Sequence, residues 1–226
     1  MTPATYDGSV TTLRRRRLLD RLAHNILALP SDRPRLVAID GVDGAGKTML
    51  ADELATDLRA ASRPVLRASV DGFHRPRAER YARGRRSPEG YYLDSYDYPA
   101  LLSVLLEPFV AGDRVSLAVW EHTRNAPVPR RWQPVDRRAV LLFDGIFLHR
   151  PELRYRWDLS IFCRVDPATS CARMAVRDGT PADPADPANR RYVEGQRHYL
   201  DACDPEALAT YVVDNADLAA PYLVER

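Results

Sequence analysis

No stretch of the 226 residues approaches the roughly 20 apolar residues that a membrane-crossing helix needs, so no span and no membrane partner are expected. The basic run near the N-terminus has no apolar segment behind it and is not expected to be a secretory leader. Cysteine is scarce. Cys163, Cys171 and Cys203 are odd in number and form no C-x-x-C pair, which argues against a disulfide scaffold or a zinc ribbon and fits a reduced, cytoplasmic setting. An excess of one charge is missing too: 33 Lys and Arg stand against 31 Asp and Glu, a net charge of +2, and nucleic acid is not an expected partner. Internal repeats are absent, as are an N-K-x-D guanine-reading motif and a metal-binding Cys/His cluster. These absences speak against a regulatory GTPase and a metallochaperone.

What the chain does have is Gly41-Val42-Asp43-Gly44-Ala45-Gly46-Lys47-Thr48, a full match to the phosphate-binding pattern G-x-x-x-x-G-K-[ST]. Residues 35–40 before it read as a short buried strand, and residues 48–61 after it as an amphipathic helix, which is the context the motif requires. Glycines let the backbone curl around an anion with its N–H groups inward, and the helix N-terminus adds partial positive charge. Gly41, Asp43, Gly44, Ala45, Gly46, Lys47 and Thr48 are therefore expected to bind the phosphates of ATP or GTP. Lys47 would reach the β- and γ-phosphates, and the Thr48 hydroxyl would help to hold Mg²⁺.

The length suits one α/β domain. Residues 1–10 are expected to fray, and a helix over residues 12–29 would complete an N-terminal extension, residues 1–34. Leu18, Leu19, Leu22 and Ile26 would face the domain and Arg14 to Arg17 the solvent; the alternative is a nucleic-acid or membrane patch. Within residues 35–226, strands are expected at 64–70, 114–119, 139–143, 159–165 and 210–214, with helices at 99–110, 167–177 and 189–202. Apolar strands alternating with helices predict a three-layer α/β fold with a mostly parallel sheet between helices. Residues 72–97 are polar, rich in Arg and Tyr and without periodicity, and read as a functional or mobile loop. Residues 177–191, rich in Pro and Asp, would form a small lid.

Ligands of such sheets sit beyond the carboxyl ends of the strands, where Asp40, Asp71 and Asp144 fall. Asp144 follows four apolar residues and would hold Mg²⁺ beside Thr48. Asp71 is placed to act as base toward an acceptor hydroxyl, with His74 three residues on as an acceptor contact. Arg173 and Arg177 share a helix face at the entry to the lid and would neutralise charge on a transferring phosphoryl group, with Arg190 and Arg191 as weaker versions. The tyrosines between 91 and 98 would stack on a nucleobase or pack the core.

Together these residues resemble the uridine kinase/phosphoribulokinase-like family of P-loop kinases, which includes bacterial-type pantothenate kinase. The resemblance runs over residues 35–221 and rests on the phosphate loop, Val70-Asp71-Gly72-Phe73-His74, the segment from Gly90 to Asp97, Leu141-Leu142-Phe143-Asp144-Gly145-Ile146-Phe147, residues 173–178 and Tyr211-Val212-Val213-Asp214-Asn215. It implies transfer of a nucleotide γ-phosphate to a hydroxyl, typically of a nucleoside such as uridine or cytidine, with pantothenate, a sugar phosphate or a specialised metabolite as other acceptors. The family's catalytic aspartate falls on Asp71, its Walker-B acid on Asp144 and its lid arginine on Arg177. Substrate contacts are expected at His74, Tyr91, Asp94, Trp120, His122 and Gln196. Asp43 and the run from Trp120 to Arg124 depart from the uridine kinase pattern. Association into a homo-oligomer is left open.

Overall fold

The computed structural model describes residues 11–225, and the expected fraying of residues 1–10 lies outside them. The chain runs α1 (Leu13–Leu27), β1 (Arg35–Gly41), α2 (Lys47–Ala60), β2 (Val65–Ser69), a 3₁₀ turn (Val70–Phe73), α3 (Arg77–Arg80) and α4 (Pro88–Asp94). It continues with α5 (Tyr98–Leu101), a π-helical turn (Leu102–Leu106) and α6 (Glu107–Ala111), then the short strands β3 (Trp120–Glu121) and β4 (Ala126–Pro127). β5 (Val140–Asp144), β6 (Leu159–Arg164), α7 (Pro167–Asp178), α8 (Arg190–Cys203), α9 (Pro205–Leu208), β7 (Tyr211–Asp214) and β8 (Tyr222–Leu223) complete it.

Six strands form one sheet in the order β2-β5-β1-β6-β7-β8, parallel except for the last pair. Both faces of the sheet are covered, so residues 36–39 of β1 and 140–143 of β5 are apolar at every position. Leu36, Ala38, Leu141 and Phe143 join a core with Phe73, Phe147 and Tyr199 on one face. Val37, Ile39, Val140 and Leu142 join a second core with Leu22, Ile26, Leu54 and Leu58 of α1 and α2 on the other. The fold is thus the expected three-layer α/β arrangement, and it gathers the carboxyl ends of β1, β2 and β5 along one sheet edge.

Four local expectations change. Arg15 is buried, because 15, 18, 19, 22 and 26 share one helix face; it pairs with Glu53 of α2 and donates to the Leu218 carbonyl. Arg16 turns toward α2 as well, onto Asp57, so only part of the arginine run faces solvent. Residues 72–97 are not one loop: Ser87 caps α4, accepting from the Gly90 amide, and Pro88 fits its first turn. Residues 114–119 form no sheet strand; Val115 makes a single bridge to Gln133, and β3 and β4 pair with each other off the sheet. The π-helical turn sits just before Pro108, which lacks an amide donor. The Val104 carbonyl that Pro108 cannot serve accepts instead from the Ser116 amide, at 2.9 Å.

Candidate functional site

Four carbonyls of the loop between β1 and α2 accept from side chains. The Val42 carbonyl accepts from Lys47 Nζ (2.7 Å), that of Asp43 from Ser170 Oγ (2.7 Å), that of Gly44 from Arg173 (3.1 Å) and that of Ala45 from Asn215 Nδ2 (2.6 Å). A peptide's N–H points opposite to its C=O, so the amides of Gly44 and Gly46 face the inside of the loop. Both glycines have positive φ, 68° and 82°, and are crowded. A Cβ at Gly44 would lie 2.7 Å from the Ser170 carbonyl, and one at Gly46 2.6 Å from Asn215 Nδ2. An inward nest of amides at the start of a helix, with a lysine beside it, suits an oligophosphate.

Thr48 Oγ1 donates to Asp144 Oδ2 at 2.7 Å. Asp144 also pairs with Arg67 at 2.9 Å, a neighbour that sequence reasoning did not find. Among the described residues no cluster of three or more His, Cys, Asp or Glu could hold a metal ion unaided. One hydroxyl and one carboxylate beside a phosphate nest fit a divalent ion that takes its other ligands from phosphate and water, as Mg²⁺ does.

Beyond this loop opens a cleft of about 630 Å³ whose walls include Asp43, Asp71, His74, Tyr91, Tyr96, Trp120, His122 and Arg177. The 3₁₀ turn after β2 delivers Asp71 to it. Asp71 is open to the cleft, yet the surrounding walls crowd it: desolvation first, then the Asp43 carboxylate, push its pKa up against the opposing pull of Lys47. Asp43 is fixed by two donors, the Tyr91 hydroxyl (2.5 Å) and Gln196 Nε2 (2.7 Å). These two arrive together because α4 packs tightly on α8 at Gly195, where a Cβ would lie 2.8 Å from both the Pro88 carbonyl and the Tyr91 ring.

His74 and His122 stack with ring centroids 4.3 Å apart. The Asp71 carbonyl, 2.9 Å from His74 Nδ1, can only accept, so that nitrogen carries the proton. His122 Nε2 lies 3.0 Å from a guanidinium nitrogen of Arg80, which can only donate, so the His122 proton sits on Nδ1. Burial holds the His74 pKa down to about 4, helped by His122 and Arg80 and opposed by its bond to the Asp71 carbonyl. An unfolded histidine takes its proton near 6.5 and the folded one only near 4. The share of stability linked to His74 is therefore complete above pH 6.5 and is lost as pH falls through that window. His74→Gln should abolish this share of acid destabilisation, up to roughly 3 kcal/mol, in urea titrations at pH 7 and pH 4. Equal losses in both proteins would mean that another group is responsible.

The remaining expected site residues divide. Arg177 lines the cleft and pairs with Asp178, whose hydrogen bond raises its pKa. Arg173 is not a cleft wall: its guanidinium is spent on the Gly44, Asn215 and Ala216 carbonyls, tying the phosphate loop to the segment after β7. Asp94 also stands off the cleft, paired with Arg83 at 2.9 Å. Asp40 is buried under the sheet edge with His149 and Tyr199 and does not reach the cleft. Sequence reasoning missed Arg80, and gave Arg191 only a minor place; both line the cleft. Nothing in the spacing of Arg80 marks it, because α3 is four residues long and the meeting with α8 is tertiary.

The fold is the one seen in solved P-loop kinase structures of the uridine kinase and phosphoribulokinase type. No family model matches the chain. Its fold is similar to the structure of "a possible uridine kinase" from Bacillus stearothermophilus, with TM-score 0.71 and 24% identity over 87% of this chain and 97% of that one. It is similar also to phosphoribulokinase from Rhodobacter spheroides, with TM-score 0.54 and 18% identity over 82% and 71% of the two chains. In sequence it is 26% identical over 197 residues to a pantothenate kinase of Bradyrhizobium sp. (strain BTAi1), a match that covers 79% of this chain and 59% of the relative. The chain thus spans less than two thirds of that relative's length.

Proposed function

We propose that this chain transfers the γ-phosphate of Mg-ATP, or Mg-GTP, to a hydroxyl of a small molecule held in the cleft. The observation that carries this reading is the meeting of a phosphate nest with a crowded carboxylate, Asp71, at one sheet edge. Bound nucleotide and its metal would supply the phosphoryl group and neutralise part of its charge. Lys47 and the inward amides hold the phosphates, and Thr48 with Asp144 holds the ion. Asp71 orients the acceptor hydroxyl and takes its proton as the new bond to phosphorus forms. Arg177, at the start of a lid formed by residues 177–191, closes on the transferring group.

Two acceptor classes find support. A nucleoside such as uridine or cytidine suits the aromatic walls, where His74, His122, Tyr96 and Trp120 offer stacking surfaces. An acid such as pantothenate is the second reading, favoured by the two buried arginines of the cleft. The test is ADP release from Mg-ATP across nucleosides, pantothenate and sugar phosphates. Release that depends on one acceptor is the expected result; release that no acceptor accelerates would make the chain a nucleotide hydrolase.

A further inference from the structure

Arg80 and Arg191 are buried cations without an acid beside them. They are 4% and 7% exposed, and both are walls of the cleft. Arg80 donates from Nε to the Arg75 carbonyl (2.9 Å) and from Nη1 to His122 Nε2 (3.0 Å). Arg191 donates from Nη1 to the Arg85 and Ser87 carbonyls (3.1 and 3.2 Å) and from Nη2, at 3.5 Å, to the Arg80 carbonyl. Both lie over the Tyr81 ring, at 5.4 and 5.0 Å from its centroid. Neither has a carboxylate at ion-pair distance among the described residues. The acids nearby are committed elsewhere: Glu89 and Asp94 to Arg83, Glu121 to the Thr123 and Arg124 amides, Asp178 to Arg177 and Asp43 to Tyr91 and Gln196.

Two guanidinium groups held out of water and close enough to repel each other are costly unless an anion joins them. Carbonyls and aromatic rings fix their orientation but cannot cancel their charge. The planar fork of an arginine matches a carboxylate or a phosphate. Further donors stand close by: His122 carries a proton on Nδ1, and Trp120 Nε1 is buried without a partner among the described residues. Contacts run from Asp71 through His74 and His122 to Arg80 in unbroken order. A molecule lying along them has its hydroxyl at Asp71 and its other end at the arginines.

We infer that Arg80 and Arg191 form an anion subsite which holds a carboxylate or a phosphate monoester of the acceptor, and so select a charged acceptor over a neutral nucleoside. This rests on the kinase reading for its role, but the subsite is testable without catalysis. Ligands are matched in pairs with and without the anionic group: pantothenate against pantothenol, glycerate against glycerol, and ribose 5-phosphate against ribose, with uridine and inorganic phosphate alongside. Binding of each to the wild-type protein is measured by calorimetry without nucleotide, and transfer from Mg-ATP is measured separately. At least one charged ligand should bind roughly 100-fold tighter than its neutral partner, the carboxylate and phosphate arms showing which group is held. Arg80→Gln and Arg191→Gln should each raise the KM for that acceptor by roughly 10-fold or more, Arg→Lys less, with the KM for ATP within about twofold of wild type.

Equal binding of charged and neutral partners, preference for uridine, or failure of every charged ligand to bind would overturn the subsite. A rise in the KM for ATP instead would assign the arginines to the nucleotide. Binding of a charged ligand without any transfer would leave the subsite standing and remove the kinase reading. The comparison of ligands on the wild-type protein holds even where a variant fails to fold.

Discussion

Asp71→Asn lowers kcat by roughly 100- to 10,000-fold while ATP binds within about twofold of wild type. The amide keeps the size and the hydrogen-bonding reach of the carboxylate but cannot take a proton from the acceptor. The nucleotide side of the site does not depend on it, since the loop carbonyls are held by Lys47, Ser170, Arg173 and Asn215. Two further readouts separate a base from a mere structural residue. Crowding and the Asp43 carboxylate raise the Asp71 pKa, so the acid limb of kcat/KM should fall at a higher pH than an ordinary aspartate would give, and this limb should vanish in the variant. A raised folded-state pKa also means that ionised Asp71 costs stability as pH rises through it. Asp71→Asn should therefore unfold at no lower temperature than wild type at pH 7, and lose no stability relative to it as pH increases. Full activity in the variant, or a clear loss of stability, would contradict this assignment.

Lys47→Met comes second and should cost roughly 100- to 1,000-fold in kcat/KM, mostly through weaker stabilisation of the transferring group. Methionine is close to lysine in length, and the folded protein loses only the bond from Nζ to the Val42 carbonyl, so stability should change little. The sequence offers an unusually clean check, because Lys47 is the only lysine in the chain. An acyl-phosphate derivative of ATP should modify one side-chain amine, at Lys47, and excess Mg-ATP should protect it. Slow labelling that ATP does not suppress would place the nucleotide elsewhere.

What could be read before the structure follows from how local each signal is. The phosphate loop was legible because one pattern, its strand and its helix lie within about one βα unit. Asp144 was legible as the end of a four-residue apolar run, and the parallel sheet follows from several such runs. α4 was missed because seven residues give too little helical period, although Ser87 and Pro88 mark its start. The segment 114–119 has the apolar pattern of a strand, but Val115 and Leu117 spend it on the core without joining the sheet. Arg173 looked like a partner for phosphate on helix spacing alone; only the fold shows it bound to three backbone carbonyls. Asp94 was expected at the acceptor from the resemblance; the fold pairs it with Arg83, which meets it from outside α4, and leaves it off the cleft wall. The pairing of Arg80 with Arg191 joins residues 111 apart and had no local trace.

On the proposed reading, the cleft beside Asp71 receives a small molecule that the protein phosphorylates. The most direct measurement follows the γ-phosphate of Mg-ATP by ³¹P NMR with wild-type protein and a mixed panel of nucleosides, hydroxy acids and sugar phosphates. A new phosphate-ester resonance growing with ADP, and absent with Asp71→Asn, is the result this account predicts. Inorganic phosphate as the only new signal, at the same rate with and without the panel, would contradict it.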